Sequence, residues 1–379
     1  MDTKKKTVSP HKGEWKAVAV KLPWLLLLPV FYGLSLLANA YPQYTEKYYS
    51  ASVYPVISRC LGWLSSVLPG VSFAECLLYA LAVSVTVLLV IFVIRLLIGK
   101  IRLARFVSFL VSVCVLASVM FGLFYMEWGF NYSRPTLYSR MGLPVESRPV
   151  EELDALCVKL ANDAAALRSQ VADDENGVFT LSEGWQKSFS AVPAAYQALG
   201  CEYAMFARTV YPAKGVMASV GMSYGGIAGI FIPFTGEANV NVDQPALLLP
   251  SSAAHETAHY LGVAREDEAN FVSYLACIHS DDPSIRYSGV MLALINCTNK
   301  LYSADQDRYA EIRSHYSQGM LRDLADYNAY WAGFEGPVEE AVNNMNDNYL
   351  KFNQQDSGVK SYGMMVDLLL AYYAVGEAS

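Results

Sequence analysis

Two of the five histidines in the chain stand four residues apart in His255-Glu256-Thr257-Ala258-His259. Four residues is little more than one helical turn, so both imidazoles project from one face and can reach a single ion. Nitrogen donors of this kind suit zinc, which in catalytic sites keeps a position open for water. Glu256, beside the first histidine, is placed to take a proton from that water and hand it to a leaving amine. The pattern points to hydrolysis of a peptide bond, with Zn2+ as cofactor, His255 and His259 as ligands and Glu256 as general base.

A third ligand is expected in Arg265-Glu266-Asp267-Glu268-Ala269-Asn270-Phe271. In an unbroken helix Glu266 would lie about 10 Å beyond His259 along the axis, too far to share its ion. The chain must therefore turn, and Gly262 is the residue that can end a helix in the left-handed conformation. A second helix starting near Arg265 then returns a carboxylate to the ion. Glu266 and Asn270 share one face of that helix and Glu268 points roughly the opposite way. Glu266 is the favoured ligand, with Glu268 as the alternative, and Asn270 is the expected partner of a ligand histidine.

His255-Glu256-x-x-His259 followed by Glu266-x-x-Ala269-Asn270-Phe271 resembles the gluzincin pattern, in which the first glutamate of an ExxA[D/N] helix completes the zinc site. The chain also resembles an uncharacterised bacterial family of three-pass membrane proteins. That likeness is carried by Trp128-Gly129-Phe130-Asn131-Tyr132, by the stretch from Pro233 to Asn241, by the histidine helix with Arg265 to Phe271, and by Ser361-Tyr362-Gly363. The resemblance implies a zincin-like fold and a peptidase, without a substrate. One departure stands out. The gap between His259 and Glu266 is shorter than in most gluzincins and nearer that of metzincins, whose third-ligand position falls here on Arg265, a side chain that cannot bind zinc.

The elements that must position these residues are legible in outline. Pro250-Ser251-Ser252 starts the histidine helix. Upstream, amphipathic helices are expected over Val150 to Val171 and Leu181 to Ala198. The Gly-, Val- and Ile-rich stretch from Val216 to Val242 reads as strands with turns. Within it, Gly229 to Val242 could pair with extended substrate, and the alternation of Glu237, Asn239 and Asn241 marks Glu237 and Asn239 as candidate substrate-binding residues. Beyond Pro250 the pattern is helical, broken at Asp281-Asp282-Pro283, Gly336-Pro337 and Ser357-Gly358. Tyr224, His315 and Tyr316 are candidates for the group that steadies a tetrahedral oxyanion. His279 belongs to the surface end of its helix.

Charge divides the chain. Residues 1–126 hold 12 Lys and Arg against 4 Asp and Glu, and the remainder holds 16 against 31. An acidic C-terminal portion without a basic aromatic patch excludes nucleic acid as a partner. Three apolar runs, about 22–40, 74–98 and 106–126, are long enough to cross a bilayer. Ala38-Asn39-Ala40 could serve as a signal-peptidase site, but the long basic lead and the two later runs favour an uncleaved anchor. Lys4, Lys5, Lys6, Lys12, Lys16 and Lys21 before the first run, with Arg95, Lys100, Arg102 and Arg105 between the second and third, place both clusters in the cytoplasm and everything after Glu127 outside it. Between the first two runs, Tyr54 to Leu68 suits a helix lying in the membrane interface, in contact with lipid. Seven cysteines show no CxxC spacing. A Cys277–Cys297 bridge is conceivable, although buried free thiols are commoner.

The fold class expected is therefore α+β and mainly helical, with a three-helix transmembrane region over 1–126 and a zincin-like extracytoplasmic domain over 127–379. The function expected is a membrane-anchored zinc metallopeptidase acting on an extracytoplasmic protein or peptide. The rival is a catalytically silent zinc-binding envelope receptor or scaffold. A role confined to the spans is disfavoured, because they hold hardly any internal ionisable group.

Overall fold

The computed structural model describes residues 10–98, 103–353 and 362–378. Lys4, Lys5, Lys6, Lys100, Arg102, Ser361 and the Ser357-Gly358 break lie outside them. The chain is mainly helical, with one small sheet, and is thus α+β. Among the described residues, three helices are long and apolar enough to cross a membrane: Glu14–Ala40, Phe73–Leu97 and Leu103–Glu127. The first starts earlier than the apolar run alone indicates, because a 3-10 segment at Leu22–Leu26 joins the helix Pro10–Ala19 to Leu27–Ala40.

The core is built around two helices, Leu249–Tyr260 and Glu266–Ile278, called here the histidine helix and the carboxylate helix. Pro283–Ala304, Gly184–Glu202 and Tyr362–Ala378 pack around the carboxylate helix, and Val150–Arg168 lies against Pro283–Ala304. Along the carboxylate helix Phe271, Val272, Leu275, Ala276 and Cys277 are all buried. A helix apolar on every side in this way must lie at the centre of its domain. The seven cysteines are free. The conceivable Cys277–Cys297 bridge is absent, because the Cys297 thiol lies against Cys157 instead.

The expected run of strands from Val216 to Val242 is shorter than its composition suggests. The strands are β1 (Lys214–Gly215), β2 (Gly229–Ile232) and β3 (Glu237–Val240), in the order β1-β3-β2. β1 runs parallel to β3, and β2 antiparallel to it with Ile230 opposite Asn239. Ser219–Tyr224 is helical instead. Its start is fixed by Glu75, whose carboxylate accepts from Met217 N at 2.7 Å and Ala218 N at 2.8 Å. A partner more than 140 residues away leaves no local signal.

The sheet is tied to the second apolar helix by a buried cluster of charge. Ser72 caps that helix by accepting from Glu75 N, and Glu237 accepts from Phe73 N at 2.9 Å and Ala74 N at 2.6 Å. Lys214 Nζ donates to the same carboxylate at 2.6 Å. Carboxylates at a helix N-terminus meet both its unpaired N–H groups and its dipole. The helix Tyr54–Ser65 also has two faces. Tyr54, Ser58, Gly62 and Ser65 are buried against the domain, while Val56, Trp63 and Leu64 are exposed.

Removing Glu237 leaves a buried ammonium and two amide groups without their acceptor. Glu237→Ala is therefore expected to lower the thermal unfolding midpoint of the detergent-solubilised chain, at a cost of about 3–5 kcal/mol. Adding Lys214→Met should recover part of that loss, and a single variant as stable as the parent would contradict the assignment.

Candidate functional site

The turn that the site needs is a glycine turn. Val263 N–H donates to Ala258 O at 3.1 Å and Gly262 N–H to His259 O at 2.8 Å. This bond pair closes a helix on a left-handed residue, and Gly262 supplies it with φ +85°. Arg265 is extended, and the carboxylate helix then runs antiparallel to the histidine helix. Glu266 meets both histidines, Asn270 meets His255, and Ser273 Oγ donates to Ser251 O at 2.7 Å.

The last carbonyls of the histidine helix have no intrahelical partners, and side chains from distant segments satisfy them. Trp128 Nε1 donates to His259 O at 3.1 Å and Tyr54 Oη to Tyr260 O at 2.7 Å. Arg208 reaches Leu261 O at 3.3 Å and Arg134 reaches Gly262 O at 2.8 Å. Arg134 is itself held by both oxygens of Glu46, at 2.6 and 2.8 Å.

The ligand atoms converge. His259 Nε2 lies 3.1 Å from His255 Nε2, and Glu266 Oε2 lies 3.2 Å from the first and 3.6 Å from the second of the two histidines in chain order. A tetrahedral zinc with bonds of roughly 2.0–2.1 Å puts neighbouring donor atoms about 3.3 Å apart. The three edges bracket that value. Each imidazole also has its far nitrogen engaged by an oxygen: His255 Nδ1 by Asn270 Oδ1 at 2.8 Å and His259 Nδ1 by the Val263 carbonyl at 2.7 Å. Both Nδ1 atoms are therefore donors, which leaves each Nε2 a lone pair directed at its neighbour. Two lone pairs that close repel unless a proton or cation lies between them.

The electrostatics agree. Burial pulls the His259 pKa down, but the Glu266 carboxylate more than offsets it and the imidazole is pushed up to about 9. Glu266 is driven far the other way, below the usual carboxylate range, as its two histidine partners overcome burial. The cluster is built to hold positive charge. Glu256 is raised by burial and by Glu266 against the pull of both histidines. It receives the Phe231 N–H, while its Oε2 is buried with no hydrogen-bond partner among the described residues.

β2 lies against Glu256 so closely that only glycine fits. A Cβ on Gly229 would meet Glu256 Oε1 at 2.5 Å. Asn241 N donates to Ala228 O, and by the alternation of an antiparallel ladder Ile230 and Ile232 also face β3. The N–H and C=O groups of Gly229 and Phe231 therefore point away from the sheet, along its free edge.

The structure thus gathers His255, Glu256, His259, Glu266 and Asn270. Glu268 is drawn elsewhere, accepting from Leu137 N at 2.6 Å beside Arg140 and Arg265. Two sequence-based candidates take structural roles. Glu237 has its oxygens engaged by the second apolar helix and Lys214, and Asn239 is buried on the central strand, its Nδ2 donating to Glu237 O. The strand at the sheet edge beside Glu256 is β2 instead. Tyr224 stands exposed with its ring edge-on to Phe334, His315 is exposed, and Tyr316 packs on the core. His279 ends the carboxylate helix, paired with Glu202 at 2.9 Å. Composition and spacing gave no sign of two hydroxyls near Glu266. Tyr132 Oη donates to Tyr349 Oη at 3.2 Å; desolvation, Tyr349 and the Glu266 charge raise Tyr132 above the ordinary tyrosine range, and desolvation and Glu266 raise Tyr349 against the pull of the Tyr132 hydrogen bond. Tyr132 lies in the Trp128–Tyr132 stretch, but Tyr349 comes from a helix remote in sequence.

A family described as "Protein of unknown function (DUF3810)" matches residues 49–370. The chain belongs to that family. The matched region takes in the second and third apolar helices, the sheet and both site helices. No curated protein and no solved structure matches the chain.

Gly262 carries the turn on which the cluster rests. A Cβ there would be strained at φ +85° and would meet Tyr54 Cε1 at 2.9 Å. Gly262→Ala is expected to cost about 1–3 kcal/mol, read as a lower thermal midpoint. Gly33→Ala, with open space around its Cβ, should leave the midpoint unchanged.

Proposed function

We propose that the chain is a zinc-dependent metallopeptidase held in a membrane by three spans, with its catalytic portion outside the cytoplasm. The observation that carries this reading is the convergence of His255 Nε2, His259 Nε2 and Glu266 Oε2 at tetrahedral spacing, beside a buried Glu256 oxygen that lacks a partner.

When bound at these three atoms, zinc would lower the pKa of a water molecule and polarise a carbonyl. Asn270 and the Val263 carbonyl fix the ring orientations. Glu256 Oε2, dry and elevated in basicity, takes the proton from the attacking water and returns it to the departing amine. With the Phe231 N–H taken by Glu256, the outward N–H of Gly229 and the C=O groups of Gly229 and Phe231 hold the substrate backbone as an added strand. The Tyr132–Tyr349 hydroxyl pair stands where a developing oxyanion could be met. The basic residues Lys16, Lys21, Arg95 and Arg105, all at one set of span ends, support the inside-to-outside orientation.

Full-length protein purified in detergent is expected to contain stoichiometric zinc, and His259→Ala to lose most of it. Glu256→Gln should keep the metal and cut a randomised peptide library at least about 100-fold more slowly, read by mass spectrometry. Zinc-free parent protein would overturn the reading. Bound zinc with no Glu256-dependent cleavage would favour the silent receptor or scaffold.

A further inference from the structure

The height of this site above the membrane follows from the groups that hold it. Trp128 is the first residue after the third apolar helix, and its indole donates to the His259 carbonyl while its ring stands edge-on to that imidazole. Tyr54 opens the helix Tyr54–Ser65, and Tyr260 Oη donates back to Ser58 O at 3.1 Å. The opposite face of that helix, with Val56, Trp63 and Leu64, is apolar and exposed, and so are Val67 and Leu68 in the turn that follows it. An amphipathic helix of this kind beds its apolar face in the headgroup boundary. The second apolar helix is bolted to the sheet through Glu75 and Glu237. The second and third apolar helices are therefore fixed to the portion that carries the histidines, and the first packs on the third.

An aromatic series leads from Glu266 down to the spans. Tyr132 meets Tyr349, whose ring lies 6.3 Å from Phe124 in the third apolar helix. On the same helix as Tyr349, Phe352 lies 6.3 Å from Phe121 and 6.4 Å from Tyr32 of the first. Tyr349, Phe352 and Met345 are exposed along this side. β2 shares the same level, with Phe231 5.8 Å from the Trp128 ring.

We infer that the site takes polypeptides tethered to the same bilayer face and cuts them next to their membrane anchor. This rests on the metallopeptidase reading and names its substrate class. One interfacial helix, about 10 Å across, separates the histidine helix from lipid. The cluster therefore stands on the order of 10–15 Å above the hydrocarbon, a span of roughly three to five extended residues. A rigid attachment holds that height constant. A chain leaving the bilayer reaches the β2 edge with its first few residues, and the more distant residues pass beyond it.

The test uses the full-length protein in lipid vesicles with a randomised peptide library in three forms: coupled directly to a lipid, coupled through a long flexible linker, and free. Tethering alone raises local concentration in both lipid-coupled forms, so the deciding readout is the position of the cut. Cuts within roughly five residues of the lipid in the direct form, and in the anchor-proximal part of the linker form, are expected. Glu256→Gln should abolish them. Glu256-dependent cuts scattered along the linker form, at rates matching the free library, would overturn the inference and leave the peptidase reading standing. No Glu256-dependent cut in any form would overturn both.

Discussion

A helix that stops must find partners for its last carbonyls, and in this protein that requirement joins the histidine pair to the long apolar helices. His259, Tyr260, Leu261 and Gly262 present four carbonyl groups, which Trp128, Tyr54, Arg208 and Arg134 answer, Tyr54 reaching both His259 and Tyr260. A buried carbonyl without a partner costs about 1–3 kcal/mol, so the four donors are not free to drift. Two of them belong to segments that begin or end at apolar helices. The same contacts that finish the histidine helix also fix where the third apolar helix leaves the domain.

The site shows how one turn separates neighbouring side chains into different work. Glu266 and Glu268 are two residues apart, yet the first faces two imidazoles and the second accepts from Leu137 N beside two arginines. Opposite faces of a helix account for the division. Glu256 and His255 are adjacent on the other helix and diverge similarly: the imidazole turns to Asn270 and Glu266, the carboxylate to β2. Gly229 is what permits that second approach, since any Cβ would displace the carboxylate.

Buried charge is handled in closed groups. Glu237 and Lys214 neutralise each other at the head of the second apolar helix. Asp323, fully buried, accepts from Arg168, Phe179 N and Tyr287 and so holds three segments together. Among the described residues Glu256 Oε2 has no partner, a property it shares with Glu127 Oε2, whereas the oxygens of Glu237 and Asp323 are filled.

The sequence by itself determined the helical class, the apolar helices, the two-faced helix after Tyr54 and the helix–turn–helix carrying His255, His259 and Glu266. Periodicity, the length of apolar runs and the left-handed tolerance of Gly262 are local properties, and one or two turns of helix suffice to read them. Even the choice of Glu266 over Glu268 needed only the angular spacing of one helix. What lay beyond reach depended on partners far along the chain. Glu237 and Asn239 alternate as a substrate-facing strand would, but β3 is central, and the Glu237 carboxylate is taken by amide groups 163 and 164 residues away. The helix at Ser219–Tyr224, the open edge of β2 and the Tyr132–Tyr349 pair follow equally from long-range contacts. Local sequence encodes which groups a segment offers, whereas only the assembled fold decides which of them are already spent on one another.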